Sequence, residues 1–168
     1  MAYDEHQRAS QSDVARCAVI TLSDTRTEAT DKSGARIKDL LTPAGHTIAH
    51  YQIVRDEPSQ LEPLLVQLLG RTDVDVILTN GGTGISRRDQ TIAVIEQHLE
   101  QQLPGFGELF RMLSWDQIGS GAMLSRAVGG ISHGKLIFAM PGSTKAVELA
   151  MEKLILPELK HLLHELRK

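Results

Sequence analysis

The chain has 168 residues, 41% of them hydrophobic and 23% charged, with a formal net charge of −3; this is enough for one domain with a substantial core and too little for two independent ones. A pI near 6.1 with no Lys/Arg run excludes the basic field that nucleic-acid binding requires. The single cysteine, Cys17, excludes a disulfide framework or a cysteine-built metal site within one chain, and its apolar surroundings mark it as a buried small hydrophobe. The first residues, MAYDEHQRASQSD, lack a signal-peptide core and no apolar run reaches membrane-span length. A cytoplasmic protein with neither membrane nor nucleic acid as partner is expected.

In chain order, residues 1–13 are polar and mixed in charge and read as a flexible N-terminal arm, with residues 14–168 forming the single folded domain. ARCAVITL at 15–22 is a first buried strand, followed by a polar loop holding Ser23, Asp24, Thr25 and Arg26. Ser33 is placed as the cap of a helix carrying Ile37, Leu40 and Leu41. A second strand spans 47–54 and runs into Arg55-Asp56-Glu57-Pro58, where Pro58 or Ser59 opens a helix with Leu61, Leu64, Leu65, Leu68 and Leu69 on one face; Gly70 closes it. A third strand at 74–80 and a helix from Asp89, taken as its cap, follow. The stretch from Phe106 to Trp115 reads as short helices, with Trp115 a packing or interface residue. Residues 127–131 and 135–140 form two short strands around a hairpin-length turn, so one strand runs antiparallel. Ser143 then caps a long C-terminal helix that Pro157 kinks or splits. No repeat, linker or low-complexity tract is present.

Strands alternating with helices imply parallel βαβ units with right-handed crossovers, and ligands of such sheets bind beyond the strand C-termini. The loops at 23–27, 55–58 and 81–89 therefore share one rim, which brings Asp24, Asp56 and Asp89 to one cleft. The segment VDVILTNGGTGISRRDQT at 74–91 is the chemical centre: a buried strand, a loop with Gly81, Gly82 and Gly84, and a helix N-terminus together make an anion site. Arg87 and Arg88 add positive charge there, and a carboxylate such as Asp89 beside an anion makes sense with a hard cation such as Mg²⁺ between them. Other chemistries fail on context. GGISHGK at 129–135 leads into a strand rather than a helix and has Leu136 in place of the P-loop hydroxyl. No GxGxxG follows the first strand, and no HExxH is present. The pairs His46/His50 and His161/His164 read as solvated faces.

TNGGTGISRRD at 79–89, PGFGELFRMLS at 104–114, AMLSRA at 122–127 and PGSTKAVELAMEKLILPEL at 141–159, with SDTR at 23–26 and VRDE at 54–57, resemble the MoaB/MogA family of molybdenum cofactor biosynthesis proteins over about residues 15–166. The resemblance implies a molybdopterin-binding-like fold: a three-layer α/β/α sandwich whose sheet is mostly parallel with one antiparallel strand, assembled as a homotrimer or homohexamer. In active members ATP and Mg²⁺ adenylylate the terminal phosphate of molybdopterin and release pyrophosphate. By motif position Asp56 and Asp89 match the catalytic, Mg²⁺-holding aspartates. Gly81, Gly82, Thr83, Gly84, Pro141, Gly142 and Ser143 match the ligand-binding loops, and Ser23, Asp24, Thr79, Asn80, Ser125 and Arg126 of the matching segments join them as expected substrate-binding positions. Arg55 and Thr144 depart from the pattern, standing where active members often carry proline. The alternative within the same resemblance is a non-catalytic molybdopterin carrier of the same pathway.

Overall fold

The computed structural model describes residues 2–168. Six strands form one sheet: β1 (Arg16–Leu22), β2 (Thr47–Val54), β3 (Val76–Asn80), β4 (Gln101–Gln102), β5 (Val128–Ser132) and β6 (Lys135–Met140), in the spatial order β2-β1-β3-β6-β5-β4. The β1–β2, β1–β3 and β3–β6 pairs are parallel, while β5 runs antiparallel to both of its neighbours. A two-residue turn reverses the chain between β5 and β6. Its central residues, His133 (φ 50°) and Gly134 (φ 68°), both have positive φ, which is what the hairpin turn matching the natural strand twist demands.

Side-chain alternation divides the central strands between two cores. Cys17, Val19, Val76, Leu78, Leu136, Phe138 and Met140 face one layer, made by α2 (Lys32–Leu41), α5 (Pro104–Ile118), α6 (Thr144–Ala150) and α7 (Leu156–Leu166). Ala18, Ile20, Leu22, Ile77, Ile137 and Ala139 face the other, made by α3 (Pro58–Leu69) and α4 (Thr91–His98). The mostly parallel three-layer architecture is thus the expected one, and its central strands are apolar on both faces because helices cover both. All five leucines assigned to the buried face of α3 are buried. Cys17 is fully buried, which pushes its thiol up to about 12 and leaves it inert.

Several local expectations are corrected by tertiary context. The cap of α2 is Asp31, whose carboxylate accepts the Gly34 N–H at 3.0 Å; Ser33 is already inside the helix. Asp89 does not cap α4: the cap position is Gln90, without a side-chain bond, and the Asp89 carboxylate instead accepts the Ser86 N–H at 2.9 Å and the Ser86 hydroxyl at 2.5 Å. The stretch from residue 104 is one 15-residue helix, α5, followed by a 3-10 segment, Gly119–Leu124. β4, a two-residue edge strand too short to carry a pattern, was not foreseen. His46 is buried rather than solvated, because its Nδ1 accepts the Ala15 N–H at 3.0 Å. Between α6 and α7 the helix widens into a π turn, Met151–Ile155, immediately before Pro157, which has no N–H to continue an α-helical ladder. The polar N-terminal segment contains α1 (Ala2–Ala9), docked on α7 through Tyr3, whose hydroxyl donates to Glu158.

Candidate functional site

The strand order reverses at β1. The chain leaves β1 through α2 on one face toward β2, and leaves β3 through α4 on the opposite face. Loops that diverge in this way open a crevice beyond the C-termini of β1 and β3, where open α/β sheets bind ligands. Four loops border it, at 23–31, 55–57, 81–90 and 141–143.

The 81–90 loop needs glycine for space as well as for backbone angle. Gly81 (φ 100°) and Gly82 (φ 66°) lie in the left-handed region; a Cβ on Gly81 would collide with the Leu22 carbonyl, and one on Gly82 would lie 2.5 Å from an Asp56 carboxylate oxygen. The loop is held from both sides. Asp89 ties Ser86 to its base, and the Arg126 guanidinium donates to the carbonyls of Thr83 (3.1 Å), Gly84 and Asp89 (2.5 Å).

The three rim aspartates come together. The Asp56 N–H donates to Asp24 Oδ1 at 3.3 Å, the Thr91 hydroxyl to Asp56 Oδ1 at 3.4 Å, and Arg88 pairs with Asp24 at 2.7 Å while approaching Glu57 at 4.0 Å. Their electrostatics differ. Burial and then the negative charges of Asp89 and Asp24 raise the Asp56 carboxyl above the usual range, outweighing Thr91 and Arg88. Hydrogen bonds from Ser86 hold Asp89 below that range. Among the described residues no cluster of three or more acidic, His or Cys ligands forms a cage for a metal ion. The arrangement still fits Mg²⁺, which takes one or two carboxylates and completes its shell with water and substrate phosphate. Asp56, crowded by like charge, is the oxygen donor that gains most from a cation.

The remaining expected positions have distinct places. Thr79 and Asn80 are fully buried at the end of β3. Asn80 Nδ2 donates to the Ile20 carbonyl (3.3 Å) and Thr21 Oγ1 (2.9 Å), while Asn80 Oδ1 and Thr79 Oγ1 have no partner among the described residues. Ser23 Oγ accepts the N–H groups of Thr25 and Arg26 and shapes its own loop. Ser143 Oγ accepts the Ala146 N–H at 3.2 Å and caps α6. Ser125 borders two cavities, one of about 430 Å³ beside Arg111 and Arg126, the other of about 840 Å³ running from Phe110 and Ile118 to Ser143, Lys145 and Lys153. Neither of these cavities is lined by the aspartates, which lie on the open rim.

Asp31, not singled out from the sequence, completes the crevice together with Arg26 and Ser33. Asp31, 2% exposed, accepts from the hydroxyls of Thr21 (2.6 Å) and Tyr51 (2.7 Å) and lies 3.5 Å from Arg26. Burial opposes its charge, but these donors and the Gly34 N–H hold it below the usual carboxylate range. Arg26 (2.9 Å) and the Ser33 hydroxyl (2.6 Å) both donate to the Gly142 carbonyl. The available signal was D-x-S-G at 31–34, an aspartate three residues before the glycine whose N–H it caps.

Residues 18–161 match the family model described as a probable molybdopterin binding domain. The chain belongs to that family. It is 52% identical to the molybdenum cofactor biosynthesis protein B of Bacillus anthracis and 50% identical to that of Halalkalibacterium halodurans, in each case over 100% of this chain and 99% of the relative. A crystal structure of a molybdenum cofactor biosynthesis protein B superposes with a TM-score of 0.90 at 52% identity, covering 92% of this chain and 97% of that one. The tungsten cofactor synthesizing protein MoaB of Pyrococcus furiosus superposes at 0.82 with 35% identity, covering 93% and 99%. As a member of this family the chain has its α/β fold. Among the described residues no helix is long and apolar enough to cross a membrane.

Proposed function

We propose that this protein acts in molybdenum cofactor biosynthesis as a molybdopterin adenylyltransferase. An oxygen of the terminal phosphate of molybdopterin attacks the α-phosphorus of ATP; the new P–O bond forms as the bond to the bridging α–β oxygen breaks, and pyrophosphate leaves. The observation that carries this reading is the Asp56/Asp89 pair, set on the rim beside the glycine loop with Asp56 raised by burial and by its acidic neighbours. Such crowding disfavours the free site and favours one that holds a cation with a phosphate chain. Phosphoryl-type transfer asks mainly for positioning and charge neutralisation, which this chain can supply without a covalent nucleophile.

Asp56 and Asp89 would hold Mg²⁺, which neutralises phosphate charge when bound. The loop amides of Gly82 and Thr83 would receive phosphate oxygens, since the Gly81 N–H is held by the Met140 carbonyl and the Gly84 N–H by the Asp89 carboxylate. Arg88, which pairs with Asp24 at 2.7 Å, would offset the charge of the departing pyrophosphate. Arg126 acts from behind, keeping the loop carbonyls turned away from the ligand. A homotrimer or homohexamer is part of the proposal, because Met112, Trp115, Ile118 and Met123 of α5 and its 3-10 extension are 57–78% exposed and form apolar surface of the kind that subunit contacts cover. Light scattering at micromolar concentration tests the assembly, and a monomer throughout defeats it. The activity is tested by incubating purified protein with molybdopterin, ATP and Mg²⁺: adenylylated molybdopterin and pyrophosphate are expected in equal amounts, whereas binding of molybdopterin without either product identifies a carrier.

A further inference from the structure

The Gly142 carbonyl is held by two side-chain donors, Arg26 Nη2 at 2.9 Å and Ser33 Oγ at 2.6 Å. Both donors are themselves fixed. Arg26 also donates to Ser33 Oγ at 3.3 Å and pairs with Asp31, while Asp31 is anchored by Thr21, Tyr51 and the Gly34 N–H. Thr21 in turn accepts from Asn80, the residue before the first glycine of the 81–84 loop. The two glycine loops also touch, since a Cβ on Gly142 would lie 3.1 Å from the Gly81 Cα.

A trans peptide is planar, with its C=O and N–H pointing in opposite directions. Capturing the Gly142 oxygen on the α2 side therefore turns the N–H of Ser143 away from α2. Among the described residues that N–H meets no acceptor within the chain. An amide with fixed direction and free valence is the element from which phosphate sites are built.

We infer that Arg26 and Ser33, braced by Asp31, are positioning residues that preset the Gly142–Ser143 peptide so that the Ser143 N–H meets a phosphate oxygen of the bound ligand. This rests on the molybdopterin reading for the identity of the ligand, but not for the orientation of the peptide. Arg26 touches no reacting atom in this scheme, despite its charge.

The test uses the full chain as wild type, as Arg26→Lys, as Ser33→Ala and as the double variant Arg26→Gln/Ser33→Ala. The ¹H–¹⁵N resonance and exchange rate of the Ser143 amide are followed in the free protein, and molybdopterin affinity is measured by calorimetry. In the double variant the Ser143 resonance is expected to move and its exchange rate to change, with affinity falling about tenfold as two hydrogen bonds, one of them charged, are lost. KM for molybdopterin should rise by a similar factor while kcat stays within about threefold, because Asp56 and Asp89 are untouched. Arg26→Lys, which keeps one charged donor, should recover part of the loss. Ser33→Ala, which keeps Arg26, should show the same signs at about threefold and carries the test if the double variant does not fold. An unmoved Ser143 resonance, or affinity within about twofold of wild type, overturns the inference. If wild type binds no molybdopterin while the resonance moves, the molybdopterin reading fails and the positioning role stands on the resonance.

Discussion

The two rims of the sheet are both rich in charge, and they handle it in opposite ways. At the strand N-termini every major charge is answered from within the chain. Asp75 receives the Arg16 guanidinium through two bonds of 2.8 Å and the Arg16 N–H at 2.9 Å, with Arg167 at 3.4 Å. Arg71 pairs with Asp73 at 2.7 Å, and the buried Lys135 ammonium donates to the carbonyls of Arg71 (2.6 Å) and Val74 (2.7 Å). At the strand C-termini Asp24, Asp56 and Asp89 crowd together with Arg88 as their near cation, and Thr79 and Asn80 keep buried oxygens without donors among the described residues. The carboxyl groups record the difference. Burial works against the charge of Asp75, yet its Arg16 contacts hold it below the ordinary range, whereas Asp56 is held above it. A rim that satisfies itself is structural; a rim that leaves like charges facing one another is the one proposed above to bind a ligand.

The largest effect that would sharpen this contrast is on chemistry. Asp56→Asn or Asp89→Asn keeps the side-chain shape but removes the charge that would hold Mg²⁺, so each is expected to lower the rate of adenylyl transfer by about a hundredfold or more with molybdopterin affinity retained. Product formation and calorimetric affinity, measured on the same preparations, check it; a loss of affinity or of fold instead would make these aspartates structural, like those of the other rim. Next is Asp75→Asn, which leaves Arg16 one acceptor oxygen in place of two and no counter-charge, and should cost about 1–3 kcal/mol in urea unfolding at pH 7, with transfer unchanged. The sign with pH is fixed by the lowered carboxyl: its contribution is fully present above the ordinary aspartate value and is lost as pH falls through the depressed one, so the cost should shrink in acid.

Ser143→Ala should destabilise the fold by about 1 kcal/mol as a lost cap and weaken molybdopterin binding modestly. Unchanged affinity with only the stability loss would confine Ser143 to capping. The smallest effect runs the other way. A raised carboxyl means that the folded protein resists ionising Asp56, so wild type forfeits stability as pH rises through the folded-state value. Asp56→Asn should therefore be more stable than wild type at pH 7, by about 0.5 kcal/mol for a partly exposed group, and the gain should vanish in acid. Melting curves at neutral and acidic pH decide it. Equal or lower stability at neutral pH would mean that the two rims do not differ as described.

The sequence by itself determined whatever depends on local period and on residue type. Buried strands announced themselves through β-branched runs such as Val76-Ile77-Leu78, α3 through its leucine spacing, and the rim through the rule that parallel strands present their C-terminal loops together. Gly81 and Gly82 were legible because their positions exclude a Cβ, and Cys17 because an apolar run buries a thiol. Tertiary structure decided which polar group bonds to which. Ser33 and Asp89 both carry the composition of a cap, but Asp31 reaches the free N–H of α2 first, and Asp89 finds Ser86 at closer range than the start of α4. His46 is a buried acceptor because β1 and β2 bring the Ala15 N–H to it across 31 residues. The Gly142 carbonyl is held by groups 109 and 116 residues away in the chain, and no local pattern encodes a contact of that separation. Hydrophobic periodicity is a sum over many residues and survives in one dimension; a hydrogen bond depends on two atoms within about 3 Å, and only the folded chain sets that distance.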